Sequence, residues 1–239
     1  MPGRKAATIS APNSGLVDQI IRSKRKTIAI IVQRDGKVLV RAPLRAPERT
    51  IYAFIESKSD WISDKKLQAQ QHPAAPARKF AAGEKFLLLG KELPLRLAHN
   101  QPADLVMLDD GFSLSTKTLP QAPLVFEKWY KVRARMVLTG RVQHFAAQHG
   151  LRYDKVRITS ARTRWGSCSS RGSLSFTWRL VMASLAVIDY VVIHELAHLK
   201  IKNHSAVFWA EVARLMPEYK LHRDWLKKNG QSLTLGDEA

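Results

Sequence analysis

A chain of 239 residues, 45% hydrophobic and 8% aromatic, is ordinary for a globular protein and long enough for one large domain or two small ones. No apolar run approaches the ~18 residues of a membrane span, the N-terminal MPGRKAATISAPNSG lacks the apolar stretch of a secretory signal, and a single cysteine excludes an internal disulfide framework, so a cytoplasmic protein with no membrane partner is expected. Lysine and arginine total 39 against 20 acids, a net charge of +19 that favours anionic partners: nucleic acid, nucleotides or acidic polypeptide.

The first 25 residues are small, polar and basic and predict a disordered N-terminus. TIAIIVQRDGKVLVRAP then reads as a hairpin turning at Asp35-Gly36. In PERTIYAFIESKSDWISDKKLQAQQ, apolar Ile51, Phe54, Ile55, Trp61 and Ile62 fall close to helical spacing, so one helix is expected. HPAAPAR reads as a linker. KFLLLGKELPLRLA predicts a second hairpin at Gly90, and DLVMLDDGFSLST a third at Asp110-Gly111. Residues 26–119 thus read as a β-rich N-terminal module with one helix.

The pattern changes near Leu119-Pro120, where residues 120–239 are expected to form a second domain. PLVFEKWYKVRARMVLTGRVQHFAAQHG predicts a long amphipathic helix with Pro123 near its start and Gly150 just past its end. Val125, Trp129, Val132 and Met136 mark its expected core face. From Lys128 to Arg179 the chain carries twelve basic residues and one acid, Asp154, without a recognisable nucleic-acid motif. KVRITS reads as a strand and TRWGSCSSRGSLSFTWRL as a hairpin around SSRG. In it Leu174, Phe176 and Trp178 are expected to face the core, with Ser173, Ser175 and Thr177 facing away. Helices over roughly 185–200 and 205–216 follow.

The first of these helices carries HELAHLKIKNH, His194 to His204, straight after the apolar VIDYVVI. Burying ionisable groups without partners costs several kcal/mol, so something must compensate them. His194 and His198 lie one turn apart on one helix face, a spacing that lets two imidazoles grip one metal ion. Glu195 can reach a metal-activated water without ligating the metal, the H-E-x-x-H arrangement of zinc hydrolases. Three protein ligands are expected. His204, in a turn ahead of the next helix with Ser205 as N-cap, is one candidate for the third; Glu211 is the other. Cys168 reads as a small buried hydrophobe. For an oxyanion-stabilising donor, Arg162, Arg164, Arg179, Tyr219, His222 and Arg223 are all within sequence reach. The strand from Ser173 to Trp178 predicts a platform on which an extended peptide adds by strand pairing.

RWGSCSSRGSLSFTWRL, IDYVVIHELAHL (Ile188–Leu199), NHSAVFW (Asn203–Trp209) and MPEY (Met216–Tyr219) together resemble the YgjP-like family of predicted zinc-dependent hydrolases. That family shares its HExxH core with SprT-like proteases and the wider zincin metallopeptidases. KFLLLGKELPLRL resembles the family's N-terminal module. The resemblance implies His194, His198 and His204 as metal ligands and Glu195 as catalytic base. Metzincins share the His198-to-His204 spacing, but Ile201 stands where their motif has glycine. The expectation is an α+β fold, a zincin-like helical metalloprotease module with a β-hairpin and edge strand behind a small β-rich module. It would hold one Zn2+ per chain, the default for imidazole ligands, and cleave polypeptide. Two alternatives use the same centre: a nucleoside triphosphate hydrolase, and a DNA-associated SprT-like protease.

Overall fold

The computed structural model describes residues 8–10, 15–33, 35–71 and 78–236, and the chain divides between Ala75 and Pro76 into two units. In the first unit, β1 (Thr8–Ser10), β2 (Gln19–Ser23), β3 (Ala29–Val32) and β4 (Val38–Pro43) form a sheet in the order β1-β2-β4-β3. β3 and β4 are the hairpin expected around Asp35-Gly36. Gly36 takes the left-handed conformation the turn needs, and the Asp35 carboxylate accepts from the Lys37 amide at 3.0 Å. Val38, Val40 and Ala42 bury one face of the sheet under Ile51, Ile55 and Ile62.

The single helix expected over 47–71 is two, α1 (Glu48–Glu56) and α2 (Ser59–Gln71). The break falls at Ser57-Lys58, and Trp61, just beyond it, is 43% exposed. Of the expected disordered N-terminus, Thr8–Ser10 and Gln19–Ser23 are paired strands, while residues 1–7 and 11–14 lie outside the described residues, as does most of the HPAAPAR linker.

Among the described residues, the second unit holds two sheets and four α-helices. β5 (Lys85–Leu88), β6 (Lys91–Ala98), β7 (Leu105–Leu108) and β8 (Gly111–Ser115) form the second and third hairpins, joined by parallel pairing of β6 with β8. Their inner side chains Phe86, Leu88, Leu95, Phe112 and Leu114 are buried against α3 (Ala122–Gln148), chiefly on Phe126 and Tyr130. The strands and the helices that follow therefore share one core, and the unit boundary lies at 75/76, whereas the sequence reading divided the chain near 120. Leu119-Pro120 marks a change from strand to helix rather than a gap between cores.

The buried face of α3 is Phe126, Tyr130, Ala134, Leu138, Val142 and Ala146, an i, i+4 ladder whose alanines let neighbouring elements approach closely. This corrects the expected face. Val125 and Trp129 pack at its margin, but Val132 and Met136 are 58% and 63% exposed. After α3 come β9 (Val156–Thr159), β10 (Gly166–Cys168) and β11 (Leu174–Thr177), forming a sheet in the order β10-β11-β9. α4 (Leu185–Ala197), α5 (Ala206–Leu215) and α6 (Tyr219–Asn229) complete the unit. The architecture is α+β. Among the described residues no helix is long and apolar enough to cross a membrane.

Candidate metal centre

α4 is apolar on most sides: Val187, Ile188, Val191, Val192, Ile193 and Leu196 are all buried. Two contacts hold this helix in place. Arg141 of α3 grips Asp189 through two bonds of 2.5 and 2.8 Å. The tip of the β5–β6 hairpin bonds to the turn just before the helix, with the Leu89 amide donating to the Val181 carbonyl and the Gly90 amide to that of Met182. Gly90 is in the left-handed region, and a Cβ there would come 3.0 Å from the Ser184 Cβ.

α4 ends at Ala197 with His198 as its C-cap. The chain then turns so that the Ile201 carbonyl lies 2.9 Å from His198 Nδ1. A carbonyl can only accept, so Nδ1 carries the proton and Nε2 presents a lone pair. His204 sits in the turn ahead of α5. Ser205 occupies the N-cap position, but its hydroxyl makes no capping bond. The turn is instead fixed by Asn203, whose side-chain carbonyl accepts from the Ser205 amide at 3.3 Å.

His204 Nε2 lies 3.1 Å from His194 Nε2 and 3.2 Å from His198 Nε2, and all three nitrogens fall within 4.8 Å of one another. A single ring hydrogen cannot satisfy both short contacts. Nitrogens tetrahedrally placed around zinc at about 2.0–2.1 Å stand about 3.4 Å apart, so the spacing fits a cation. Phe208, fully buried, floors the group with its ring 4.9, 4.4 and 4.8 Å from those of His194, His198 and His204. Trp209 walls it at 5.7 Å from His194. Burial, with the neighbouring histidines, pushes the His194 pKa down to about 3, which keeps the ring neutral and able to ligate.

Glu195 is 4% exposed, and burial pushes its carboxyl up to about 8 against the opposing Arg164 charge. Its Oε2 and His194 Nδ1 are buried without a hydrogen-bond partner among the described residues. The carboxylate is pressed against β10: a Cβ on Gly166 would stand 2.5 Å from Glu195 Oε1. Gly166 is thus required by the close approach of strand to carboxylate.

Glu211, the other candidate third ligand, points elsewhere, bonded to Arg214 at 2.8 Å and Lys200 at 3.0 Å. Those cations hold its carboxyl down at about 2. Of the donor candidates, Arg179 is buried, its guanidinium 4.3 Å over the Trp178 ring. Arg223 lies over Trp209 at 5.1 Å, and Tyr219 stacks on the same ring at 5.5 Å. Arg162 is exposed and His222 half-buried in α6. Cys168 is half-buried, its thiol pushed up by burial, which disfavours the nucleophilic thiolate.

The expected substrate platform needs correction. β11 is the central strand, paired antiparallel with β10 and parallel with β9. It has no free edge, and Thr177 is buried rather than facing away. The edge beside the metal centre belongs to β10.

A helix bearing H-E-x-x-H, with a third histidine folded back onto it and a sheet edge alongside, is an arrangement that could hold a metal ion. The chain belongs to the YgjP-like family: the family model for the YgjP-like metallopeptidase domain matches residues 26–229. Among solved structures it is similar to abylysin, a metallopeptidase zymogen of Pyrococcus abyssi, at 28% identity over 38% of this chain and 93% of that one, with a TM-score of 0.35. No curated protein gives a match.

Proposed function

We propose that the protein is a zinc metallopeptidase that hydrolyses peptide bonds with Glu195 as general base. The observation that carries this reading is the convergence of His194, His198 and His204 Nε2 beside a buried glutamate. A zinc ion held there would polarise the scissile carbonyl and lower the pKa of water towards ~7. The three imidazoles suit zinc in donor type and spacing, and the Ile201 carbonyl orients the His198 ring for ligation. Glu195 accepts the proton of the attacking water and returns it to the leaving amine, with no covalent intermediate. The edge of β10 offers backbone donors and acceptors along which a substrate strand can pair, bringing its carbonyl next to Gly166 and Glu195.

The test is metal content and hydrolysis for the wild type, Glu195→Gln and His204→Ala, with an unfolded protein and nucleoside triphosphates as substrates. Wild type and Glu195→Gln are expected to hold about one zinc each, with cleavage of polypeptide reduced at least about a hundredfold in Glu195→Gln. His204→Ala is expected to lose metal on dialysis. Phosphate release by the wild type without peptide cleavage would assign the centre to phosphoanhydrides instead. Absence of metal from the wild type would remove the centre altogether.

A further inference from the structure

The apolar residues that α3 leaves outside the core line a groove. Leu124, Val132 and Met136 are 68%, 58% and 63% exposed, and they face Val156 and Ile158 of β9 across two adjoining hollows of about 500 and 480 Å3. The hollows share Arg135 and Met136, so the groove runs along α3 from Leu124 to Gln143, about 28 Å at 1.5 Å per residue. An extended polypeptide covers that length with about eight residues.

Three features say what fits. β9 is an edge strand of its sheet, and a strand edge presents alternating N–H and C=O groups that match another polypeptide backbone. The first hollow has an aliphatic floor of Val132, Met136 and Ile158, while the second adds Thr139, Gln143 and Tyr153 to Met136 and Val156. Its helix rim carries exposed Lys128, Lys131 and Arg135; Glu127, the acid among them, is engaged by Lys131 at 2.7 Å and the Ser160 hydroxyl at 3.0 Å. That rim complements acidic side chains.

We infer that the α3–β9 groove is an exosite that binds a remote segment of the substrate, an extended stretch of about eight residues alternating apolar with acidic side chains. This rests on the peptidase reading above. β9 and β10 are the two edges of one three-stranded sheet, so strands added outside them would lie four spacings, about 19 Å, apart, and one polypeptide can occupy both with a connection of about six or more residues. Occupation of the groove raises the local concentration of the cleavable segment at β10 without touching the reacting atoms.

The test is fluorescence anisotropy of a labelled octapeptide alternating valine or isoleucine with glutamate, on the full chain carrying Glu195→Gln so that nothing is cleaved. Val132→Asp and Lys128→Glu, both at exposed helix positions, are expected to weaken binding at least about tenfold, and a lysine-for-glutamate version of the peptide is expected not to bind. In the otherwise wild-type chain, Val132→Asp is expected to raise KM for long acidic substrates while leaving cleavage of short peptides unchanged. No binding, binding indifferent to both variants, or tighter binding of a single-stranded oligonucleotide weakened by the same variants would each overturn the exosite. Loss of the peptidase reading is seen separately, as failure of the wild type to cleave any polypeptide while octapeptide binding persists.

Discussion

Glu195 is buried and His194 half-buried beside it, with opposite consequences for the metal-free protein. His194 is held down to about 3, so between there and its ordinary value near 6.5 the unfolded chain binds the extra proton and stability rises with pH. Glu195 is held up to about 8, so above about 4.5 the folded chain binds the extra proton and stability falls as pH rises. The two oppose each other between 4.5 and 6.5, and only the falling limb remains from 6.5 to 8. The Tm of the chelator-treated protein is therefore expected to decline over that last interval. Glu195→Gln is expected to flatten the decline; an unchanged slope would show that Glu195 ionises freely in the fold. His194, Glu195 and His198 stand out in the sequence because their spacing is itself the signal, whereas His204 rests on the family resemblance, with Glu211 open as the alternative. What surrounds these residues was not visible there. Gly166 is required only because the packing of β10 on α4 brings it against Glu195, the Ile201 partner is a backbone carbonyl common to every residue, and Phe208 floors the histidines only once α5 is placed.

At the scale of elements, strands and turns were legible where β-branched or leucine-rich runs met Asp-Gly or a lone glycine, as at Gly36 and Gly90. The face of α3 was not, because its buried ladder includes Ala134 and Ala146, which carry little hydrophobic signal, while the larger Val132 and Met136 face outward. The contrast is measurable. Leu138→Ala, at a fully buried position, is expected to cost about 2–5 kcal/mol in denaturant unfolding, and Met136→Ala close to nothing. Comparable losses from both would return Met136 to the core. Sheet order was equally hidden. The alternation of residues 173–178 marks a strand with a buried side, but its parallel partner β9 lies earlier in the chain, and nothing local to either strand declares that pairing.

On the scale of the whole molecule, the two units have separate hydrophobic cores, and only the unit after residue 76 carries the histidines. In calorimetry of the metal-loaded chain, chelation is expected to lower the Tm of one transition and leave the other in place, since bound metal stabilises only the unit that holds it. Two transitions shifting together would mean that the units unfold as one. The linker HPAAPAR marks the division at 75/76 in the sequence, but the single core shared by β5–β8 and α3 was not evident, because it depends on tertiary packing between segments that look unlike. The anchoring of the Leu89-Gly90 tip on Val181 and Met182 has a further consequence, in time rather than space. Some ninety residues separate the partners, so at about 5–20 residues per second a ribosome that has just made the hairpin needs roughly 5–20 s to deliver its anchor. For that interval Phe86 and Leu88 wait without their full core. The histidine helix, made after α3 and all the strands, follows its anchor directly, with only α5 and α6 of the α-helices still to come.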